Sequence, residues 1–409
     1  LSQAEAAHIR TIGTGDVAVA ARMALRLLLA VSFIHGARGH APVCPFVPLG
    51  VAGDYHTCTY AKGGELKCFG SNSGCALGWG LPPTADGPPS SPAVDLGAGR
   101  KVVEVTAGIQ SFNTCARFDD GGVKCWGANN HGQLGTGVGT TADTYLGCKQ
   151  DDMGDNLAEV DLCAPRKATQ LTMGRNYVCA LLDNGQVKCW GANARGQLGQ
   201  GDGGFLADRG DDPNEMGCNL PAIDLGAGRT AVQIAAGEDH VCAVLDNGKL
   251  KCWGEAAAGQ LGSGDRENRG DQPGEMGDNL PEVDLCKPTA KAVELAAGDH
   301  HMCARFDDGS VKCWGHNGMA QLGLGDTTSR GDDSGEMGCA LPEVQLCGRS
   351  AVQIGAGVMH TCAVLDDGSL RCWGQNDRGQ AGVQPKGGLI GGAPGEMGCG
   401  LQPIDLGDT

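Results

Sequence analysis

Six pairs of cysteines recur along the chain, and in each pair the two cysteines stand ten residues apart. A turn that contains glycine lies between them, and an aromatic residue follows the second cysteine directly. The pairs are Cys58 and Cys68, Cys115 and Cys125, Cys179 and Cys189, Cys242 and Cys252, Cys303 and Cys313, and Cys362 and Cys372. A spacing that repeats in this way restricts the chain to an architecture built from copies of one small unit.

The spacing also predicts a strand register, which the copy at 240–254 illustrates. Short apolar alternation on each side of Asp246-Asn247-Gly248 predicts two strands and a hairpin. A three-residue loop with glycine at its left-handed position pairs Leu245 with Lys249 and so places Cys242 opposite Cys252. Facing Cβ atoms lie about 4.5–5.5 Å apart, within reach of a disulfide. We therefore predict six cross-strand disulfides; the alternative is pairs of small buried hydrophobic residues in a cytosolic sheet.

Composition limits the classes of partner. The chain has 409 residues, 70 of them glycine and 21 cysteine, with a formal net charge of −17. Such a charge argues against binding to a nucleic-acid backbone or to an anionic membrane surface. The sequence has no apolar run long enough for a membrane span, for which about 18 residues are needed.

The N-terminal region has the pattern of a secretory signal. Residues 23–39 begin with Met23, continue through Arg26 into an apolar run, and end with small residues at Ala37 and Gly39. We expect cleavage near Gly39, with residues 1–22 an extension of the gene model and residues 40–409 the folded domain. The alternative is an amphipathic helix over 16–34 that packs on the domain.

The units recur about every 60 residues, and each consists of a strand, the cysteine hairpin, a polar turn and a long insert. Three inserts share Arg-Gly-Asp followed by Glu-Met-Gly, at 209–217, 269–277 and 330–338. Short, evenly spaced strands with turn signals are typical of propeller blades. We predict an all-β fold, a β-propeller of about six blades of short antiparallel strands with long insert loops, with seven blades as the alternative.

The repeat resembles that of the regulator-of-chromosome-condensation family. The shared pattern is Gly-x-x-His-x-Cys-Ala, Asp-Asn-Gly, and Cys-Trp-Gly-x-Asn-x-x-Gly-Gln-Leu-Gly, most complete at 357–373, with its second half clearest at 127–135 and 191–199. The resemblance covers roughly residues 48–409. It implies a β-propeller, seven-bladed in the best known members, whereas this chain has six visible repeats, added cysteine pairs and long inserts.

The resemblance implies a binding mode more firmly than an activity. The founding member exchanges nucleotide on a nuclear GTPase, and other members are scaffolds of E3 ligases, light receptors or secreted propellers that inhibit proteins.

Cysteines outside the hairpins predict further cross-links. The predicted bonds are Cys148–Cys163, Cys339–Cys347 and Cys44–Cys399. The first two would lie within one insert each, and the third would join the two ends of a closed ring. Cys75, Cys218 and Cys286 remain, with a Cys218–Cys286 bond as an open alternative.

Motifs of catalysis are missing from the sequence. The Gly-x-Gly-x-x-Gly at 199–204 follows a turn and precedes no helical pattern, so it lacks the context of a phosphate-binding loop. No nucleophile elbow, Walker loop or Cys-x-x-Cys occurs. A histidine recurs two residues before the hairpin cysteine, at His56, His240, His301 and His360, which favours a structural role such as bonding a neighbouring carbonyl. We predict no enzyme, no catalytic residues and no cofactor.

The inserts raise two binding hypotheses. The Arg-Gly-Asp triplets favour a turn closed by an Arg–carboxylate contact, with receptor recognition as the alternative. Their carboxylates are weak candidates for calcium ligands: Asp211, Glu215, Asp271, Glu275, Asp332 and Glu336.

Together these patterns predict a secreted, disulfide-stabilised β-propeller that binds a protein, or a glycan, without catalysis. The insert loops on one face of the ring would carry the recognition, because rigid repeat scaffolds place binding on their loops. The alternative is an intracellular nucleotide-exchange factor or adaptor for a small GTPase, in the cytoplasm or nucleus, as the founding family member implies.

Overall fold

The computed structural model describes residues 49–405, apart from short gaps at 53–54, 62, 84–85, 89, 109, 138–144, 205–206 and 384–386. The predicted extension (1–22), the predicted signal (23–39) and Cys44 lie outside the described residues. In the described part, regular structure consists of β-strands and a few short 3₁₀ helices. None of these helices is long and apolar enough to cross a membrane.

Twenty strands form six separate antiparallel sheets. The strands are β1 (Leu49–Ala52), β2 (His56–Tyr60), β3 (Leu66–Gly70), β4 (Val102–Ala107), β5 (Asn113–Phe118), β6 (Val123–Ala128), β7 (Tyr145–Leu146), β8 (Ala168–Met173), β9 (Tyr177–Leu182), β10 (Val187–Gly191), β11 (Ala231–Ala236), β12 (His240–Leu245), β13 (Leu250–Gly254), β14 (Ala292–Ala297), β15 (His301–Phe306), β16 (Val311–Gly315), β17 (Ala351–Gly357), β18 (His360–Leu365), β19 (Leu370–Gln375) and β20 (Leu389–Ile390). The 3₁₀ helices are Ser73–Cys75, Gln150–Asp152, Gly154–Asn156, Gly217–Asn219, Gly277–Asn279 and Gly398–Gly400.

We number the sheets in chain order: sheet 1 (β1–β3), sheet 2 (β4–β7), sheet 3 (β8–β10), sheet 4 (β11–β13), sheet 5 (β14–β16) and sheet 6 (β17–β20). Within each sheet, strands that follow one another in sequence are neighbours. In the sheets that lack a fourth strand, a single antiparallel pair of backbone residues takes its place, such as Gly254 with Arg269. The first strand of each sheet packs against the first strand of the next: β1 on β4, β4 on β8, β8 on β11, β11 on β14 and β14 on β17. Small meandering sheets packed face to face through their inner strands are the blades of a β-propeller, so the predicted fold is confirmed.

The hairpin register is the one that the spacing predicts. Cys242 faces Cys252 across β12 and β13, and the turn between the strands contains Gly248 at φ +78°. The cysteines of all six hairpins are bonded to each other, with Cα atoms 4.0–4.1 Å apart. They are also buried among the apolar residues that fill the spaces between neighbouring sheets.

The six cross-strand disulfides thus have the predicted partners. They are Cys58–Cys68, Cys115–Cys125, Cys179–Cys189, Cys242–Cys252, Cys303–Cys313 and Cys362–Cys372.

Tryptophan joins each sheet to the one before it. The indole of Trp253 is fully buried, and its Nε1 donates to the carbonyl oxygen of Gln197 at 3.0 Å. Equivalent bonds run from Trp126 to Ala76, Trp190 to Gln133, Trp314 to Gln260 and Trp373 to Gln321. The repeated Trp and Gly-Gln-Leu-Gly elements are therefore the two sides of one contact between sheets.

The remaining disulfides run between neighbouring inserts, and the predicted pairings outside the hairpins are wrong. Instead of Cys148–Cys163, Cys339–Cys347 and Cys44–Cys399, or the alternative Cys218–Cys286, the structure has Cys75–Cys148, Cys163–Cys218, Cys286–Cys339 and Cys347–Cys399.

Backbone contact between inserts explains the last three of these bonds. The N–H of Gly217 in a Met-Gly step donates to the carbonyl of Asp161 in the preceding insert, at 3.0 Å. The residue after that step, Cys218, then meets Cys163 of the preceding insert across the contact. We call this contact between successive inserts the insert junction.

Candidate functional site

A group of charged side chains lies at the ends of the strands that are opposite the turns of the cysteine hairpins. They come from the loops after β8, β11 and β14 and from the residue after β13, and we call them the upper-face cluster: Arg175, Glu238, Asp239, Glu255 and His300. Gly237 lets these loops approach closely, because a Cβ there would lie 2.5 Å from the carbonyl oxygen of Gly298 and 2.0 Å from the ring of His240.

Arg175 joins sheet 3 to sheet 4. Its Nη1 lies 2.5 Å from Glu238 Oε1 and its Nη2 lies 2.6 Å from Asp239 Oδ2. The two carboxylate side chains are each only 6% exposed, whereas Arg175 is 42% exposed. A guanidinium fork suits two carboxylates at once, so one partly exposed cation pairs with two buried carboxylates.

His300 lies between two carboxylates. Its Nε2 is 3.0 Å from Glu238 Oε2, and its Nδ1 is 3.5 Å from Glu255 Oε2. The hydrogen bond to Glu238 and then the contact with Glu255 raise the pKa of His300 to about 10. The bond to His300 in turn holds the pKa of Glu238 and of Glu255 below the usual range. At neutral pH the ring is therefore an imidazolium, and the cluster alternates positive and negative groups.

Glutamines of the Gly-Gln-Leu-Gly elements complete the cluster. Gln197 Nε2 donates to Asp239 Oδ1 at 3.0 Å, and Gln260 Nε2 donates to Glu255 Oε2 at 3.2 Å. Burial nevertheless raises the pKa of Asp239 to about 6, with Arg175 opposing the shift. The same glutamines accept the tryptophan bonds through their backbone carbonyls, so the repeat that builds the ring also orients the cluster.

Next to the cluster, loops from two sheets that are distant in sequence meet. Gln110 Nε2, in the loop after β4, donates to Asp299 Oδ2 at 3.3 Å, which connects sheets 2 and 5. These sheets are not neighbours in sequence, so the loops that follow the inner strands converge from different sides.

Four of the six candidate calcium ligands accept hydrogen bonds from backbone N–H groups or from an arginine. Glu275 Oε2 accepts the N–H groups of Gly270 at 2.9 Å and Gln272 at 3.0 Å, and Glu215 and Glu336 do the same in their inserts. Asp332 accepts Arg266 Nη2 at 2.8 Å. The backbone N–H groups of Asp211 and Asp271 pack against Gly132 and Gly196 of the preceding sheet. Among the described residues, no three His, Cys, Asp or Glu side chains are grouped as metal ligands.

The Arg-Gly-Asp triplets form turns with an Arg–carboxylate contact, as the preferred interpretation predicts. Arg269 Nη2 bonds Asp265 Oδ2 at 2.7 Å and Arg330 Nη2 bonds Asp326 Oδ2 at 2.7 Å, while Arg209 contacts Asp202. The carboxylate thus comes from upstream rather than from the triplet. Because each arginine is engaged within its own insert, nothing in these contacts favours receptor recognition.

Three of the repeated histidines, His56, His240 and His301, are buried, and two of these have structural partners in other sheets. His56 Nε2 lies 2.8 Å from Thr114 Oγ1, and His301 Nε2 lies 2.9 Å from Thr361 Oγ1. Burial lowers the pKa of His56 to about 4 and that of His301 to about 3, so both rings are neutral. The partner is a hydroxyl that in turn donates to a carbonyl, rather than the carbonyl itself.

Sequence reasoning did not find the upper-face cluster. Four of its members stand three or four residues before the repeated cysteine, and Glu255 stands two residues after Trp253. The copies differ from one another at these positions, so these residues looked like ordinary loop residues. The available signal was the run of charge in Gly237-Glu-Asp239, directly after an apolar strand.

Fold and site together define a β-propeller with a cluster of charged side chains at one end of its strands. A family model, the RCC1-like domain, matches residues 45–394, and the chain therefore belongs to the RCC1 (regulator-of-chromosome-condensation) repeat family. The predicted resemblance is confirmed.

Relatives support the assignment. The ultraviolet-B receptor UVR8 of Arabidopsis thaliana is 28% identical over 81% of this chain and 66% of its own length. Protein pim1 of Schizosaccharomyces pombe is 29% identical over 69% of this chain and 49% of its own length. The chain thus spans less than two thirds of these curated relatives.

Solved structures share the fold. Human WBSCR16 superposes with a TM-score of 0.63 at 20% identity, over 83% of this chain and 79% of its own. Prp20p from Saccharomyces cerevisiae gives 0.61 at 21% identity, over 88% of this chain and 77% of its own.

Proposed function

We propose that this protein is an extracellular RCC1-type propeller that binds a protein partner without catalysis. The observation that carries the proposal is the cysteine chemistry: twenty described cysteines form ten disulfides. Structural disulfides in such number form and persist in oxidising compartments, because cytosolic thiol systems keep cysteines reduced.

The binding surface in this proposal is the upper-face cluster with the insert loops around it. Arg175 and His300 are partly exposed at 42% and 34%, and exposed Arg195 lies 3.7 Å from Glu255. A surface of alternating charge favours a partner with complementary charges, which gives specificity and fast association. Prp20p, a solved structure with this fold, was described together with its binding to Gsp1p and histones, which supports a protein as the partner.

Reversal of surface charge tests the location of the binding face. The protein, secreted from a eukaryotic host, is used to capture binding partners from extracellular fluid of its own source organism, alongside Arg175→Glu. Arg229→Glu is the matched control, because Arg229 pairs with Asp246 at 3.2 Å on the opposite face. We expect Arg175→Glu to lose the partner and Arg229→Glu to keep it. Equal capture by the two variants would place the binding face elsewhere.

A second candidate is nucleotide exchange on a small GTPase. The relative SRM1 of Saccharomyces cerevisiae, 25% identical, is named a guanine nucleotide exchange factor. Release of a fluorescent GDP analogue from a small nuclear GTPase, accelerated by this protein, would favour this candidate, above all if the hairpin thiols were free in cells.

A further inference from the structure

Three insert-junction disulfides differ from the others in exposure. In each bond one cysteine is exposed and its partner half-buried: Cys218 with Cys163, Cys339 with Cys286, and Cys399 with Cys347. The hairpin cysteines are at most 4% exposed. Thiol–disulfide exchange requires a thiolate to reach one sulfur of the bond. The junction disulfides should therefore react with a thiolate from solution more readily than the hairpin disulfides do.

The chain also shows that an insert junction does not need a covalent bond. Gly226 and Asp278 occupy the junction positions of Cys163 and Cys218, and there Asp278 Oδ1 accepts the N–H of Ala227 at 2.9 Å. The backbone bond that defines the junction is the same, from Gly277 N to the Asp224 carbonyl at 3.0 Å. Opening a disulfide at the other junctions therefore leaves an arrangement that this fold already tolerates.

From these observations we propose that the three exposed insert junctions are sites of reversible thiol–disulfide exchange with a dithiol reductant, while the hairpin disulfides stay closed. The inference rests on the oxidised state that the proposed extracellular function also requires.

At one junction, a thiolate of the dithiol attacks Sγ of exposed Cys218, the Cys163–Cys218 bond breaks, and Cys163 leaves as a thiolate that takes up a proton. The second thiol of the reductant then attacks the mixed disulfide and releases Cys218 as a thiol. Two electrons pass to the protein, which gains two thiols, and the dithiol becomes a disulfide.

Native reduction followed by two-step alkylation tests the proposal. Intact secreted protein is first mapped without reductant, then treated briefly with dithiothreitol under native conditions and labelled with light iodoacetamide. Denaturation, full reduction and heavy iodoacetamide label the rest. Among the twenty cysteines that form the ten disulfides, we expect the light label on the six cysteines of the three exposed junctions only, with unchanged far-UV circular dichroism.

Cys75–Cys148 is an internal control, because it also joins neighbouring units but Cys75 is fully buried. We expect this bond to remain oxidised during the brief treatment with dithiothreitol. Light label on the hairpin cysteines at the same rate, or none on the junction cysteines until the protein unfolds, would overturn the proposal.

A variant separates exchange from loss of the fold. Cys163→Gly with Cys218→Asp reproduces the junction of Gly226 and Asp278; we expect it to fold, to lose light label at these two positions only, and to melt several degrees lower. Failure of this variant to fold would contradict the claim that an open junction is tolerated. If the first map shows free hairpin thiols, the proposed function fails before any reductant is added; if it shows ten bonds that then reduce together, only this inference fails.

Discussion

Individual side chains in the upper-face cluster carry charge because of their neighbours. His300 contacts Glu238 and Glu255, and the pKa of His300 rises to about 10. His56, at a repeated core position, contacts a hydroxyl instead, and burial lowers its pKa to about 4. The same residue type is thus a fixed cation at one position and a neutral core group at another.

The raised pKa of His300 predicts a loss of stability at alkaline pH. Its folded pKa of about 10 lies above the unfolded value of 6.5, so the stabilisation is complete below pH 6.5 and disappears as pH rises through 10. With the side chain 34% exposed, solvent screening leaves about 1–2 kcal/mol. Urea unfolding from pH 6 to pH 10 should show this decline in the wild type and a smaller one in His300→Gln.

His316→Gln is the control, because burial lowers the pKa of His316, so that its ring is already neutral in the alkaline part of that range. Its stability should fall with pH as that of the wild type does. Identical pH profiles for His300→Gln and the wild type would contradict the proposed charge on His300.

Contacts between elements repeat from one sheet to the next. Each of the five tryptophans that follow a hairpin cysteine bonds the preceding sheet, and each insert junction pairs the same two positions, filled either by Cys and Cys or by Gly and Asp. Gly97 with Asp155 and Gly226 with Asp278 are the glycine–aspartate versions. The two positions of an insert junction can be matched in the sequence only by comparing successive inserts, because they do not lie at the two ends of one insert.

Removing one indole N–H tests the tryptophan contact. Trp253→Phe keeps a buried aromatic ring but leaves the Gln197 carbonyl without its donor, which costs about 1–3 kcal/mol. Chemical denaturation measures the change in the free energy of unfolding. Val232→Ala, at a side chain that is 59% exposed, should change it by less than about 0.5 kcal/mol. Equal effects from the two substitutions would refute the role of the bond.

The equivalence of the junctions predicts that a new disulfide can be introduced. Gly226→Cys with Asp278→Cys should oxidise spontaneously and stabilise the protein by up to about 2–4 kcal/mol, since Cys163 (φ +75°) already adopts a positive φ at the position of Gly226 (φ +104°). Thermal unfolding with and without reductant measures the gain. Asp278→Cys alone is the control and should show none. A double variant that stays reduced would show that the two positions are not equivalent.

At the scale of the molecule, the disulfides between neighbouring sheets join the six described sheets into two groups of three. Cys75–Cys148 and Cys163–Cys218 link sheets 1, 2 and 3, while Cys286–Cys339 and Cys347–Cys399 link sheets 4, 5 and 6. Between sheets 3 and 4 the described residues contain no disulfide. Arg175 bonds Glu238 and Asp239 across this boundary, so the cluster that we propose for binding also joins the two groups.

Arg175→Ala should loosen that boundary. Asp239 would lose its cation and Glu238 one of its two, at a cost of about 3–5 kcal/mol in a fully buried pair and less here because Arg175 is partly exposed and His300 still contacts Glu238. Hydrogen exchange should accelerate at β8 and β11 and change little at β17 and β18. Adding Gly226→Cys with Asp278→Cys should restore protection, because it closes the same boundary covalently. Uniform acceleration in all sheets would contradict a weak boundary between sheets 3 and 4.

The sequence by itself determined the repeat, the hairpins and their register. Cys242 faces Cys252 because the count of residues to Gly248 decides it, and that count lies within one short segment. Tertiary structure alone decided that Cys163 bonds Cys218 and that Arg175 meets Glu238. These partners are 55 and 63 residues apart and belong to different sheets, so their meeting depends on how one sheet packs on the next. The spacing of residues within one hairpin determines which residues of its two strands face each other. Which loops come together depends instead on how the first strands of neighbouring sheets pack. The spacing within one unit carries no information about that packing.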